Sequence, residues 1–264
     1  MKADTTADGP ADGARRSLRE PLLTFLAAIA LATTLFWTGK GLPLLSRNLH
    51  ACIAVIFLYA PAVAGRITGR PFDFYQAGLS LSPIGANALT LGVAVAITFP
   101  LFVLGFFAFY DLVCGTGTAA LHRSLAPLCP GSGWRPGVSA GGFAARAAQL
   151  RLPPDFALLA ANQVLVIALP EEMFFRGYLF GRLEERWPAR RRFLGAPVGR
   201  ALLASAGLFA LGHLLVDFNP QRLAVFFPAL VFGWMRARTG SVTPGIAYHA
   251  LCNLLADLLH TSYF

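Results

Sequence analysis

Apolar and polar positions along the chain alternate in long blocks rather than at a short period. Apolar runs occupy roughly residues 21–38, 50–65, 86–110, 155–180, 200–216, 223–236 and 243–259, separated by short segments rich in Arg, Gly and Pro. Runs near the roughly 20 residues needed to cross a hydrocarbon layer predict membrane helices. The shorter ones fit helices packed among others, with their polar groups facing protein or a cavity. The pattern therefore predicts an all-α, polytopic transmembrane bundle of about seven spans, with six to eight allowed. Residues 1–20 are polar and read as a disordered tail. No cleavage pattern follows the first apolar run, so a signal peptide does not explain the N-terminus. Residues 21–154 form an N-terminal transmembrane region and 155–260 a second, motif-bearing core.

Composition agrees with the pattern. The 264 residues are 56% hydrophobic and 13% charged, and mean hydropathy is +0.58. A soluble domain carries about 25% charged residues. The net charge of +9 sits in short loops between apolar runs, which is how topology is encoded; nucleic acid is not an expected partner. With the N-terminus inside, fourteen Lys and Arg fall in the segments assigned to the inside and seven in those assigned to the outside. The positive-inside rule then places the N-terminus in the cytoplasm. Four cysteines, Cys52, Cys114, Cys129 and Cys252, show no CxxC spacing, and the pattern indicates neither a thiolate metal site nor a disulfide framework.

Other stretches carry weaker expectations. Arg70 to Ile84 has the aromatic and polar mix of a membrane interface. Pro100 falls inside the third run, His122 reads as a solvated loop residue, and Gly131–Gly142 reads as turns. Residues 146–152 fit a short amphipathic surface segment.

Polar residues inside the apolar runs are the candidate chemistry. Glu171 and Glu172 end an apolar stretch, and Arg176 follows four residues after Glu172. Helical spacing lets Glu172 and Arg176 pair and turns Glu171 about 100° away. Ionisable residues at such depth mark functional sites by default; a structural ion cluster is the plainer alternative. His213 lies four residues after Phe209 in the next run. His249 and Asn253 lie one turn apart in the last, and Asp257 continues their face. A glutamate beside a histidine can hold water and take its proton. An imidazole and a carboxamide on one helix face can donate to a developing oxyanion. No serine or cysteine occupies a nucleophile motif, so the set suits water-mediated amide hydrolysis within a membrane.

The three spacings, Glu171-Glu172-x-x-x-Arg176, Phe209-x-x-x-His213 and His249-x-x-x-Asn253, together resemble the CPBP family. That family comprises type II CAAX prenyl endopeptidases and abortive-infection intramembrane proteases. The resemblance implies a glutamic-type intramembrane endopeptidase. Its catalytic residues would be Glu171, Glu172, His213, His249 and Asn253, with Arg176 and Phe209 in support. Glu171 would be the general base, His213 would orient the water, and His249 with Asn253 would form the oxyanion hole. No cofactor is expected. The alternative is zinc held by Glu171, His213 and His249, as in a CAAX-type metalloendopeptidase. A non-enzymatic transport or immunity protein is the reading from another class. The stretch RPFDFYQAGL resembles myxosortase-like sorting proteases, which implies a membrane-anchored protein substrate with a C-terminal sorting signal or lipid modification. The implied location is a bacterial inner membrane.

Overall fold

A computed structural model describes residues 17–115, 125, 129 and 146–263. The order of elements is α1 (Arg19–Gly39), α2 (Pro43–Thr68), α3 (Ile84–Tyr110) with a π-turn at Asp111–Gly115, α4 (Phe156–Arg186), β1 (Arg191–Phe193), β2 (Ala196–Val198), α5 (Arg200–Asp217), a 3₁₀ turn at Pro220–Val225, α6 (Phe226–Thr239) and α7 (Thr243–Tyr263). Five helices, α1 to α5, are long and apolar enough to cross a membrane among the described residues, so the protein is an integral membrane protein with an all-α bundle. All seven apolar runs form helix. α6, at 14 residues, reaches only about 21 Å, short of a hydrocarbon core of about 30 Å. α7 carries His249, Asn253, Asp257 and His260 along its length, which dilutes its apolar character.

Several expectations are corrected. The helix starts at Arg19, inside the segment assigned to a disordered tail, whose first sixteen residues lie outside the described ones. Glu20 is tied down: it accepts from Tyr178 Oη at 3.0 Å and pairs with Arg70 at 3.4 Å and Arg182 at 3.5 Å. Cys114 and Cys129 form a disulfide, although their spacing matched no known framework. Residues 146–152 are largely exposed and are also tied down. Arg146 pairs with Asp111 at 2.5 Å, its carbonyl accepts from Tyr263 Oη at 2.6 Å, and the Arg151 amide donates to Ser262 Oγ at 2.9 Å. His122 and Gly131–Gly142 lie outside the described residues.

Two compact units make up the chain. One contains the described residues up to Leu91 together with Val164–His249; the other contains Gly92–Gln163 and the residues from Ala250 onward. The core of the first is aromatic. Phe174 stacks on Phe57 at 5.0 Å, Phe175 meets Phe25 edge-on at 6.3 Å, and Phe175 meets Phe209 at 4.9 Å. Ser205 Oγ donates to the Phe175 carbonyl at 3.0 Å, satisfying a buried acceptor between α4 and α5. The loop from Arg70 to Ile84 is a clamp as well as a surface: Ser80 O accepts from Thr243 Oγ1 at 2.9 Å and Gly78 O from the Val242 amide at 2.9 Å. In the second unit Phe107, Leu259 and Tyr263 form a buried cluster.

The hairpin of β1 and β2 is antiparallel, with Phe193 opposite Ala196. Its two loop residues, Leu194 and Gly195, have φ of 45° and 81°, as a tight two-residue hairpin turn demands. A Cβ at Gly195 would collide with the Arg238 guanidinium.

Candidate active site

The two glutamates occupy a four-residue α segment, Leu169–Glu172, between π-helical stretches Gln163–Ala168 and Met173–Leu179. Pro170 has no amide hydrogen and its ring crowds the preceding turn, so a widened helix accommodates it. Such wide turns re-aim side chains and are frequent at functional sites.

Glu172 and Arg176 form the buried floor, each side chain about 1% exposed. Arg176 Nη1 donates to Glu172 Oε1 at 3.0 Å and Nη2 to the Ala229 carbonyl at 3.2 Å. Its guanidinium lies 4.3 Å from the Phe209 ring centroid and 4.7 Å from that of Phe232, so two π faces as well as two oxygens compensate the buried cation. Glu172 Oε1 also accepts from His249 Nδ1 at 3.0 Å. One carboxylate oxygen thus bridges α4 and α7. The His249 ring stacks on Phe232 at 4.9 Å and 15°, which fixes its plane.

Glu171 points elsewhere. Its Oε2 stands 3.9 Å from His213 Nε2 and 3.9 Å from His249 Nε2, and the Glu171 and His213 side chains keep 16% and 22% exposure. His213 Nδ1 donates to the Phe209 carbonyl at 3.0 Å, and the two rings lie 4.4 Å apart. A carbonyl only accepts, so Nδ1 carries a proton, and in the tautomer this selects for the neutral ring the lone pair is at Nε2. At His249 the Glu172 carboxylate holds a proton on Nδ1, which leaves Nε2 to accept in the neutral ring or to donate in the cationic one. Both imidazoles therefore turn Nε2 toward the same carboxylate oxygen. That oxygen is buried and has no hydrogen-bond partner among the described residues.

Of the residues expected from the sequence, Glu171, Glu172, Arg176, Phe209, His213 and His249 come together in the first unit. Asn253 belongs to the second, where its Nδ2 donates to Gln163 Oε1 at 2.8 Å, while Gln163 Nε2 donates to Asp257 Oδ2 at 3.3 Å. Three further residues escaped the sequence reading. Gln163 is a buried amide, and the sequence shows it only as one of two adjacent amides, Asn162 and Gln163, in an apolar run. Phe232 is one of 22 phenylalanines with no distinguishing signal. Gly245 lies where an added Cβ would sit 3.2 Å from Glu172 Oε2.

The trio Glu171, His213 and His249 does not fit zinc as placed. Donors about 2.0–2.1 Å from a tetrahedral ion stand about 3.3 Å apart, closer than the 3.9 Å seen for both carboxylate–imidazole edges. Among the described residues no group of three or more His, Cys, Asp or Glu is arranged to hold a metal.

Residues 153–255 match the family model described as type II CAAX prenyl endopeptidase Rce1-like, and all three motifs fall within that segment. No curated protein and no solved structure matches the chain.

Proposed function

We propose that the protein is a glutamic-type intramembrane endopeptidase that hydrolyses a peptide bond of a membrane-associated protein with a water activated by Glu171. The observation that carries this reading is the orphaned buried oxygen of Glu171 facing two imidazole nitrogens just beyond hydrogen-bond reach. A polar gap of that size is where a bridging water completes the bonding.

In this reading the water donates one hydrogen to Glu171 Oε2 and the other to His213 Nε2, which leaves an oxygen lone pair for attack. The water oxygen bonds to the substrate carbonyl carbon as Glu171 takes a proton. His249, in its protonated form, donates from Nε2 to the oxyanion, with Glu172 Oε1 stabilising the ring through Nδ1. Asn253, assigned from its i+4 spacing to His249, is the second donor. When the tetrahedral species collapses, the C–N bond breaks and the proton held by Glu171 passes to the leaving amine. Glu172 and Arg176 act by holding His249. Phe209 positions His213 through its carbonyl and its ring.

The substrate class is a membrane-anchored protein with a C-terminal sorting signal or lipid modification, processed at a bacterial inner membrane with the N-terminus of the enzyme in the cytoplasm. The Cys114–Cys129 disulfide supports that orientation. It lies in the segment assigned to the outside by the distribution of basic residues, and disulfides persist in oxidising compartments.

The test is mass spectrometry of membrane-protein termini from cells carrying the wild type or Glu171→Gln. A C-terminal cleavage present with the first and absent with the second supports the assignment; identical termini overturn it. Stoichiometric zinc in the active protein, whose removal abolishes cleavage, would replace the metal-free mechanism.

A further inference from the structure

A cavity of 750 Å³ opens between the end of α4 and the start of α5. Arg186, Arg190, Arg191 and Arg200 line it, together with Trp187 and Leu203, and no acidic side chain does so among the described residues. These four guanidiniums make no hydrogen bond or ion pair within the described part of the chain. Elsewhere the arginines of this face are occupied: Arg182 pairs with Glu20 and Glu185, Arg192 donates to the Gly195 carbonyl, and Arg238 donates to the Leu194 carbonyl.

The depth of this cavity is set by the helices that frame it. Arg186 is the last residue of one candidate membrane span and Arg200 the first of the next. The cavity therefore lies at the level where hydrocarbon gives way to headgroups. Its rim is cationic, while Leu203, 56% exposed, continues its wall along the apolar flank of α5. Trp187 carries an amphipathic ring of the kind enriched at that boundary. Beside it the hairpin turn exposes Phe193 and Leu194, 61% and 63% accessible, whose carbonyls are held by Trp234 and Arg238.

We infer that this cavity binds the headgroup of an anionic phospholipid, its phosphate among the four arginines and its acyl chains along α5. Planar guanidiniums bind phosphate through paired N–H groups, and basic pockets between membrane helices suit anionic headgroups. A free phosphate shares the first feature and gains nothing from the second. That difference separates the two sources.

The full-length protein, reconstituted in phosphatidylcholine nanodiscs doped with phosphatidylglycerol and released into detergent, is examined by native mass spectrometry. The expected result is one retained phosphatidylglycerol in preference to phosphatidylcholine. Arg190→Gln with Arg200→Gln should lower that retention about tenfold or more. Arg19→Gln with Arg66→Gln, which removes the same charge from exposed positions elsewhere, should leave it unchanged. Arg190→Lys with Arg200→Lys keeps the charge but not the paired N–H groups and should fall between the wild type and the Gln pair, and an unchanged melting temperature for the Gln pair shows that the fold persists. Equal retention of both lipids, equal loss in the two Gln pairs, or displacement of the lipid by millimolar inorganic phosphate would overturn the inference.

Discussion

Replacing Arg176 by Met removes a buried cation and leaves its partner in place. Glu172 Oε1 loses the 3.0 Å bond from Nη1, the Ala229 carbonyl loses its donor at 3.2 Å, and the rings of Phe209 and Phe232 lose the guanidinium between them. Met restores most of the volume and packs against both rings, so the dominant loss is electrostatic. With both partners about 1% exposed, water cannot screen the stranded carboxylate. Breaking such a pair from one side costs about 3–5 kcal/mol. On the scale of soluble domains this lowers Tm by roughly 10 °C. Glu172→Gln with Arg176→Met removes both charges, and the Gln carbonyl can still accept from His249 Nδ1. The double variant should recover at least half the loss, because the two substitutions are coupled. Thermal melting of the purified protein in detergent, followed by intrinsic fluorescence, measures all three variants. Additive losses, or a Met variant within about 1 kcal/mol of wild type, would refute the idea that this pair is a buried, mutually dependent unit.

Other predictions follow from single contacts. Gly245→Ala places a methyl 3.2 Å from Glu172 Oε2; the displaced carboxylate should misplace His249 and lower kcat about tenfold, with a smaller effect on Tm. Gln163→Leu frees the Asn253 amide from its 2.8 Å bond. In cleavage assays it should lower kcat several-fold with KM little changed, as expected for a group that orients an oxyanion donor. Serine at both Cys114 and Cys129, which are separated by 15 residues, should cost about 3 kcal/mol at most while cleavage persists. After reduction of intact cells, a membrane-impermeant maleimide should label these thiols from outside; labelling only after lysis would reverse the proposed orientation.

Much of the site is legible in the sequence because helical spacing is a geometric statement. The four-residue step from Glu172 to Arg176 forced them onto one face, and the one-residue step to Glu171 turned it away. The same arithmetic links Phe209 to His213, although spacing alone does not say that the contact is through the Phe209 carbonyl. Contacts between distant elements were not legible in this way. Nothing local says that Glu172 Oε1 serves His249 as well as Arg176, or which phenylalanine stacks on that imidazole. The helices were visible as apolar runs, whereas their capacity to cross a membrane depends on length and on how many polar groups each carries, which separates α6 and α7 from the rest. The hairpin at Arg191–Val198 is hidden because its strands are three residues each and the donors to its turn carbonyls, Trp234 and Arg238, lie some forty residues away. The Cys114–Cys129 pairing depends on fold proximity, with Cα atoms 5.8 Å apart, and no spacing rule announces that.

The most direct test of the catalytic assignment is the cleavage rate of purified Glu171→Gln on a peptide substrate identified from the terminal comparison. The carboxamide keeps the shape of the side chain but takes up no proton from water. The account predicts a folded protein with wild-type Tm, within about 1 kcal/mol of stability, whose cleavage rate falls by about 10²–10⁴-fold. A folded Gln variant that cleaves within a few-fold of wild type would contradict it.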